Sequence, residues 1–313
     1  MRRAAPVGRS LEFETMHVAT IPKREVRYAV GDDIFIAADV WGNPSAAPVI
    51  LLHGGGQTRH AWGGAGEILA RAGFHVISID LRGHGDSTWD PHGNYQLESH
   101  AADLHAIVST LQQPPALVGA SLGGMISLVY QGELYPGHAC AVVLVDITPR
   151  PNPEGVDRVI GFMKSHPEGF ASLEDAARAV AAYLPHRPAP RSTRGLEKNL
   201  RQGPDGRWRW HWDPALIDNV ERRRASHESP NRLLDAARTL SVPTLLVRGQ
   251  RSDVVTEHGA REFMELVAHA EYVDVADAAH MVAGDDNDAF ADAVVEFLVR
   301  TFGMARGGVG RTA

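Results

Sequence analysis

A serine with a glycine two positions away on each side is the strongest chemical signal in the chain. The motif runs from Gly119 to Gly123 as GASLG, follows the apolar run Ala116–Val118 and opens a helical pattern that extends from Leu122 to Tyr135. Between a strand and a helix, such a motif forms a sharp turn that projects the serine hydroxyl above the sheet at a helix N-terminus. Ser121 is therefore our candidate nucleophile.

A serine hydroxyl is a weak nucleophile at neutral pH, so it needs a general base that is itself oriented by a carboxylate. Two residues farther along the chain supply these groups. Asp253 follows the apolar run Thr244–Val247, and His280 follows the run Tyr272–Val275. The order serine, aspartate, histidine occurs in one known arrangement of such triads. All three residues follow predicted strands, and open parallel sheets form their sites at those strand ends.

A glycine-rich turn, His53-Gly54-Gly55-Gly56, follows the apolar run Val49–Leu52. Glycines at this place let a backbone N–H turn toward the nucleophile, where it can stabilise the oxyanion of an acyl-transfer intermediate. We assign the oxyanion hole to the amides of Leu122 and Gly55, with Gly54 as the less favoured alternative. A glycine-rich turn without a ligand is the competing interpretation.

The elements that must position these residues alternate between strands and helices. Short apolar runs without alternation are suited to strands buried on both faces, and they occur at Val49–Leu52, His75–Ile79, Ala116–Val118, Cys140–Val145 and Thr244–Val247. Helical patterns lie between and after them, at Ala61–Arg71, Gln96–Leu111, Leu122–Tyr135, Glu257–Val267 and Asn287–Thr301. The pattern predicts an α/β fold with a mostly parallel, doubly wound sheet. Two β-rich runs around Gly31-Asp32 predict a leading antiparallel hairpin.

The alternation breaks after Pro149, where proline-rich and polar sequence with short helical patterns continues to about Thr239. About 90 residues greatly exceed an ordinary loop, so we predict an inserted helical cap over 149–239. The core then comprises 21–148 and 240–302, between a flexible N-terminal arm (1–20) and a flexible C-terminal tail (303–313).

Taken together, the motifs resemble those of the α/β-hydrolase fold superfamily, and of its capped serine hydrolases in particular. They are His53–Gly56, the sequence DLRGHGDS from Asp80 to Ser87, the turn at Ser121, the Asp253 loop and His280, and they span nearly the whole chain. The resemblance implies a cofactor-independent enzyme of the esterase or lactonase type.

Other members of this fold are distinguished by single residues. Epoxide hydrolases and haloalkane dehalogenases carry aspartate at the position of Ser121, so both activities are disfavoured. Hydrolases that cleave carbon–carbon bonds usually have tryptophan after the histidine, whereas Met281 follows His280 here. Carbon–carbon hydrolysis and cofactor-free oxygenase or perhydrolase chemistry stay open as alternatives, as does a non-catalytic small-molecule receptor.

Two further polar groups have alternative interpretations. Asp146 directly follows the run Cys140–Val145, at a position where some members of the fold place the acid. We favour Asp253 because its loop matches the family pattern, and we interpret Asp146 as a brace at the entry to the cap. The polar residues from Asp80 to Ser87 are interpreted as a tight structural turn below the site.

Three tryptophans at a spacing of two suggest an aromatic wall, because alternate residues of a strand share one face. They are Trp208, Trp210 and Trp212. The wall could lie over Ser121 and select an apolar or ring-bearing substrate, or it could pack the cap against the core. Further pocket candidates are Phe162, Met163, Phe170, Tyr183, Leu184 and Met281.

Composition narrows the function classes. The chain has 313 residues and a formal net charge of −7, with no dense basic run, which argues against nucleic acid as a partner. Cys140 is the only cysteine, so an intramolecular disulfide is impossible and a cytoplasmic location is the simplest. No secretory signal, membrane-spanning run or metal-binding motif is recognised, although the chain has 16 histidines. We therefore expect no cofactor, no metal and no membrane partner, and we allow a homodimer.

These observations predict a serine hydrolase that cleaves a carboxylic ester or lactone of a small to medium apolar substrate. Ser121 would attack the carbonyl, His280 would carry the proton, and Asp253 would hold the imidazole. An acyl-enzyme would form and then be hydrolysed by water.

Overall fold

Eight strands form one mostly parallel sheet through the centre of the molecule. The computed structural model describes residues 21–185, 193–225, 231–276, 278 and 288–303. The predicted arm (1–20), most of the predicted tail, His280 and Met281 lie outside the described residues.

The strands follow the predicted apolar runs closely. In chain order they are β1 (Arg24–Ala29), β2 (Phe35–Trp41), β3 (Pro48–Leu52), β4 (His75–Ile79), β5 (Ala116–Ala120), β6 (Ala141–Val145), β7 (Leu200–Gln202), β8 (Trp208–Trp210), β9 (Thr244–Gly249) and β10 (Glu271–Val275). The large sheet has the order β1-β2-β4-β3-β5-β6-β9-β10, and β7 and β8 form a separate two-stranded sheet. The pairs β1–β2 and β2–β4 are antiparallel, and the others in the large sheet are parallel. The predicted leading hairpin and mostly parallel sheet are both confirmed.

Helices cover both faces of this sheet. They are α1 (Gly63–Arg71), α2 (Leu97–Val108), α3 (Leu122–Val129), α4 (Pro153–Lys164), α5 (Leu173–Tyr183), α6 (Arg194–Glu197), α7 (Ala215–Ala225), α8 (Arg232–Arg238), α9 (Glu257–Leu266) and α10 (Asp288–Thr301). A 3₁₀ turn at Arg59–Trp62 precedes α1, and a π-helical turn at Tyr130–Leu134 follows α3. None of the described helices is long and apolar enough to cross a membrane.

The alternating side chains of each central strand pack into different layers. In β3, Val49 and Leu51 belong to a cluster that includes residues of α1 and α10, whereas Ile50 and Leu52 belong to a cluster with residues of α2 and α3. All five residues of β3 are buried. Burial on both faces explains why the strand sequences are continuously apolar rather than alternating.

The segment between β6 and β9 carries α4 to α8 and the β7–β8 hairpin, and its first helix is seated on the loop after β9. The Asn152 backbone N–H donates to the Val254 carbonyl at 2.8 Å, and the Asn152 side-chain amide donates to the Asp253 carbonyl at 2.9 Å. A Cβ on Gly155 would lie 2.3 Å from the same Asp253 oxygen, so only glycine permits this approach. The last helix of the segment, α8, packs on α3. The segment as an independent cap stays a prediction.

Candidate active site

Ser121 occupies the turn between β5 and α3 in a strained conformation. Its φ is +46° and its ψ is −111°, and its backbone N–H donates to the Val145 carbonyl at 3.2 Å. A Cβ on Gly119 would lie 2.4 Å from the Gly123 carbonyl carbon, and one on Gly123 would lie 2.3 Å from the Leu52 carbonyl oxygen. The flanking glycines are therefore required by backbone contacts, and the strain at Ser121 is typical of a functional position.

The glycine turn after β3 lies against the nucleophile, because a Cβ on Gly54 would come within 3.3 Å of the Ser121 Cβ. The Gly54 N–H donates to Gln57 Oε1 at 2.9 Å, and the Gly56 N–H donates to His84 Nε2 at 3.1 Å. Among the described residues, the Gly55 N–H is the amide of these three without an acceptor. This arrangement favours Gly55 over Gly54 as an oxyanion donor, together with the Leu122 N–H at the start of α3.

Two buried histidines hold the backbone of this turn. His53 accepts from the Leu81 N–H through Nε2 at 2.9 Å, so its Nδ1 carries the proton and donates to the Gly54 carbonyl at 2.8 Å. By the same reasoning His84, whose Nε2 accepts from Gly56, donates through Nδ1 to the Arg82 carbonyl at 3.1 Å. Burial lowers the pKa of His53 to about 3 and holds the pKa of His84 well below its usual value. Both rings are therefore neutral, as their hydrogen bonds require.

The polar residues from Asp80 to Ser87 form a buried charge network below the turn. Arg59 donates from its backbone to Asp80 Oδ1 at 2.6 Å, and its guanidinium pairs with Asp80, with Asp39 at 3.0 Å and with Asp86 at 2.8 Å. The Ser87 hydroxyl donates to the Asp80 carbonyl at 2.7 Å. These contacts agree with the interpretation of this motif as a structural turn.

Asp146 stands directly beside the nucleophile turn. It follows Val145, which pairs in register with Ala120, the residue before Ser121. Asp146 is buried and has a φ of +50°. Its Oδ1 accepts from the Gly249 N–H at 3.1 Å, and its Oδ2 accepts from the Ser252 hydroxyl at 2.6 Å. The contacts fix the carboxylate and brace the loop after β9, on which the start of the inserted segment is seated.

Asp253 lies one residue beyond Ser252, but its carboxylate faces the inserted segment. It forms an ion pair with Arg158 on α4. The Oδ2 atom that faces Arg158 is buried. Asp253 thus links α4 to the loop after β9.

The chain that leads to His280 runs beside this same loop. The Gln250 N–H donates to the Val275 carbonyl at 3.0 Å, and the Arg251 N–H donates to the Ala278 carbonyl at 2.9 Å. His280 itself lies outside the described residues, so its role as general base stays a prediction from the sequence.

Two cavities open from Ser121. One has a volume of about 430 Å³ and the other about 160 Å³, and both are lined by Gly55, Ser121, Val159 and Met163. Aromatic and apolar residues of the inserted segment close the smaller cavity, and they include Phe162, Tyr183, Leu184, Trp210 and Trp212.

Most of the predicted pocket residues that the structure describes line these cavities, but Trp208 and Phe170 do not. Trp208 packs with Phe170 and Leu200 in a separate apolar cluster. The sequence analysis missed much of the larger cavity, including the apolar residues Tyr95, Leu97, Met125, Leu216 and Ile217. Tyr95 and Leu97 follow the charged turn after β4, and Leu216 and Ile217 lie on α7, so no local pattern connects them.

Within the described part of the chain, no group of three histidine, cysteine or acidic side chains could hold a metal ion.

Comparison with known proteins identifies the family. The family model for the alpha/beta hydrolase fold matches residues 47–286, and the chain therefore belongs to this family. It is 30% identical over 268 residues to "Esterase Rv0045c" of Mycobacterium tuberculosis, covering 83% of this chain and 85% of that protein. It is 26% identical over 254 residues to the 3-hydroxybutyrate-oligomer hydrolase of Cupriavidus necator, covering 77% and 85%. The crystal structure of E-2-(acetamidomethylene)succinate hydrolase shares the fold, with a TM-score of 0.78, 24% identity and coverage of 88% of this chain and 99% of that chain.

Proposed function

We propose that this protein is a serine hydrolase that cleaves a carboxylic ester or lactone of a small to medium apolar substrate through an acyl-enzyme. The observation that carries the proposal is the position of Ser121, at positive φ, against the glycine turn that contains Gly55 and at the junction of two cavities. Relatives that cover most of this chain are named as an esterase and a 3-hydroxybutyrate-oligomer hydrolase, which supports hydrolysis of an ester bond.

In the proposed mechanism the Ser121 hydroxyl attacks the ester carbonyl while His280 takes its proton. The negative charge that develops on the carbonyl oxygen is stabilised by the amides of Leu122 and Gly55, and one such donor typically contributes roughly 3 kcal/mol to the transition state. Collapse of the intermediate expels the alcohol, which receives the proton from the imidazole. Water, deprotonated by His280, then attacks the acyl-enzyme and releases the acid and the free Ser121 hydroxyl.

Two carboxylates are candidates to orient the imidazole. Asp253 is the residue that the sequence pattern favours. The geometry supports Asp146 as the stronger candidate, because it is buried beside Ser121 and its carboxylate is fixed by Gly249 and Ser252, whereas that of Asp253 is paired with Arg158. Both assignments are proposals, and a pair of asparagine variants distinguishes them.

The test is hydrolysis of p-nitrophenyl esters of increasing acyl length by the wild type and by Ser121→Ala, with Ser109→Ala at an exposed helix end as the matched control. We expect turnover by the wild type and by Ser109→Ala, and a loss of at least 10³-fold in Ser121→Ala. A fluorophosphonate should label wild-type Ser121 covalently. Folded wild type that neither hydrolyses any ester nor is labelled would refute the proposal and favour carbon–carbon hydrolysis, oxygenase chemistry or a receptor.

A further inference from the structure

The two cavities that meet at Ser121 differ in size by more than a factor of two, and the aromatic residues Phe162, Tyr183, Trp210 and Trp212 line the smaller one. We propose that the substrate is an asymmetric ester, with a compact apolar group no larger than about one aromatic ring on one side of the scissile bond and a longer chain on the other. The inference rests on the proposed function and names its substrate class. We call the two spaces the ring chamber (about 160 Å³) and the chain chamber (about 430 Å³).

The ring chamber has the volume of a single-ring site. An engineered protein cavity of about 150 Å³ binds benzene, and this chamber measures about 160 Å³. A naphthyl group or a long acyl chain is larger than the single ring for which such a volume suffices.

Aromatic side chains that pack on one another form one wall of the ring chamber, and Gln57 and Asn199 add polar groups to its lining. The ring of Phe162 stacks on that of Tyr183, with 4.2 Å between centroids and 14° between planes. Trp210 meets Phe162 edge-on at 5.8 Å, and Trp212 completes the wall. A planar apolar group gains offset or edge-on contacts with such rings. Because the rings support one another, the chamber cannot enlarge by moving only one of them.

The chain chamber is the larger of the two, and its lining combines apolar and polar side chains. Apolar residues near Ser121 include Leu122, Met125 and Ile217, and the lining also contains His92, Asn94, Gln96 and Asn219. Arg232 belongs to this lining, but it pairs with Glu98 at 2.5 Å and with Glu133 at 2.8 Å. Two carboxylates more than balance its charge, so this wall does not select an anion. We infer that the long group is an apolar chain whose far end is uncharged.

Val159 and Met163 on α4 line both chambers and therefore form the partition above Ser121. The floor on the ring-chamber side is glycine backbone, and a Cβ on Gly56 would lie 3.3 Å from the Met163 terminal methyl carbon. The partition rests closely on the glycine turn, so a substrate group that spans both chambers must displace the Met163 side chain.

The experiment uses two ester series with the wild type. One series keeps the alcohol small and varies the acyl group from acetyl through benzoyl to naphthoyl and dodecanoyl, and the other keeps acetyl and varies the alcohol in the same way. We expect kcat/KM to fall at least tenfold beyond a single ring on one side of the ester bond only. The other side should accept the long chain.

Two variants assign the chambers. Phe162→Ala enlarges the ring chamber, so naphthyl substrates should gain at least tenfold in kcat/KM on the restricted side, and Tyr183→Ala repeats the test if Phe162→Ala folds poorly. Val220→Trp on α7 fills the chain chamber, so the long chain should lose at least tenfold on the opposite side. Phe35→Ala, an exposed side chain at the start of β2, is the matched control and should change neither series.

The proposal of an asymmetric substrate would be overturned if bulky groups were tolerated equally on both sides of the ester bond. It would also be overturned if both kinds of variant changed the size preference on the same side. Ester turnover without size discrimination would refute this inference and leave the hydrolase proposal intact. Absence of turnover and of Ser121 labelling would refute the hydrolase proposal itself.

Discussion

Ser121 and Asp146 occupy equivalent positions at the ends of adjacent parallel strands. Each is the first residue after a buried strand, the residues before them pair in register, and their φ angles are +46° and +50°. Positive φ costs free energy in a residue with a side chain, and such residues cluster at active sites. The pair therefore brings a hydroxyl and a carboxylate to the same edge of the sheet.

The first prediction concerns the acid. Asp146→Asn should lower kcat by about 10⁴-fold, as expected when a triad carboxylate no longer holds the imidazole in the correct tautomer. Asp253→Asn should lower it by less than tenfold, because it removes an ion pair with a half-exposed arginine on α4. Steady-state kinetics of both variants on the best ester, with melting curves as controls, make the comparison. The reverse ranking would restore Asp253 as the acid.

The second prediction concerns the seating of α4. Gly155→Ala should destabilise the protein by about 1–3 kcal/mol, because the new Cβ would overlap the Asp253 carbonyl. Gly161→Ala in the same helix, with nothing within 4 Å of its Cβ, should stabilise it by about 0.5–1 kcal/mol. Urea unfolding of the two variants measures the sign of each change in the free energy of unfolding. Equal effects would show that α4 is not held against the loop after β9.

The third prediction concerns pH. Unfolded histidines bind protons below their usual pKa of about 6.5, whereas folded His53 has a pKa of about 3 and that of His84 is also strongly lowered by burial. The unfolded state therefore binds more protons in this window, and stability falls as pH is lowered from 6.5 toward 3. At pH 5 His53 should lower the free energy of unfolding by roughly 2 kcal/mol relative to neutral pH, and His84 should act in the same direction.

Urea unfolding at pH 7.5, 6 and 5 tests this dependence against His84→Gln, which cannot titrate. The variant should be less stable at pH 7.5 but should lose less stability on acidification. Parallel curves for the two proteins would contradict a role for His84 in the acid sensitivity.

The fourth prediction concerns the oxyanion turn. His84→Ala removes the acceptor of the Gly56 N–H, so the neighbouring Gly55 amide should be less well oriented. We expect kcat to fall about 10–100-fold with little change in KM, which is less than the full loss of an oxyanion donor. His84→Gln, whose side-chain oxygen can accept the same hydrogen bond, should recover part of kcat. A change in KM alone would assign His84 to substrate binding instead.

The order of the candidate catalytic residues along the chain and the positions of the strands could be predicted because both depend on local sequence. The apolar runs are continuous since their strands are buried on both faces, and Gly119 and Gly123 are fixed by backbone contacts within the turn. Orientation of the carboxylates could not be predicted in this way. The direction of Asp253 depends on Arg158, a residue of another element far away in the chain.

The predicted wall of three tryptophans shows the same limit of local sequence as a guide to where side chains point. A spacing of two correctly indicates a shared face, and Trp208 and Trp210 both contact the cluster around Phe170. Yet a strand advances about 3.3 Å per residue, so Trp208 lies roughly 7 Å farther along the strand than Trp210 and packs beyond the ring chamber. Periodicity defines a face, and tertiary contacts decide how much of that face reaches a cavity.

The seat of α4 also has a consequence for the order in which the protein assembles. The hydrogen bond from Asn152 to Asp253 joins residues 101 positions apart. During synthesis from the N-terminus, α4 therefore lacks its contact with the loop after β9 until β9 and that loop have been made. Formation of the reaction chamber must be a late event, after the nucleophile turn between β5 and α3 is already complete in the nascent chain.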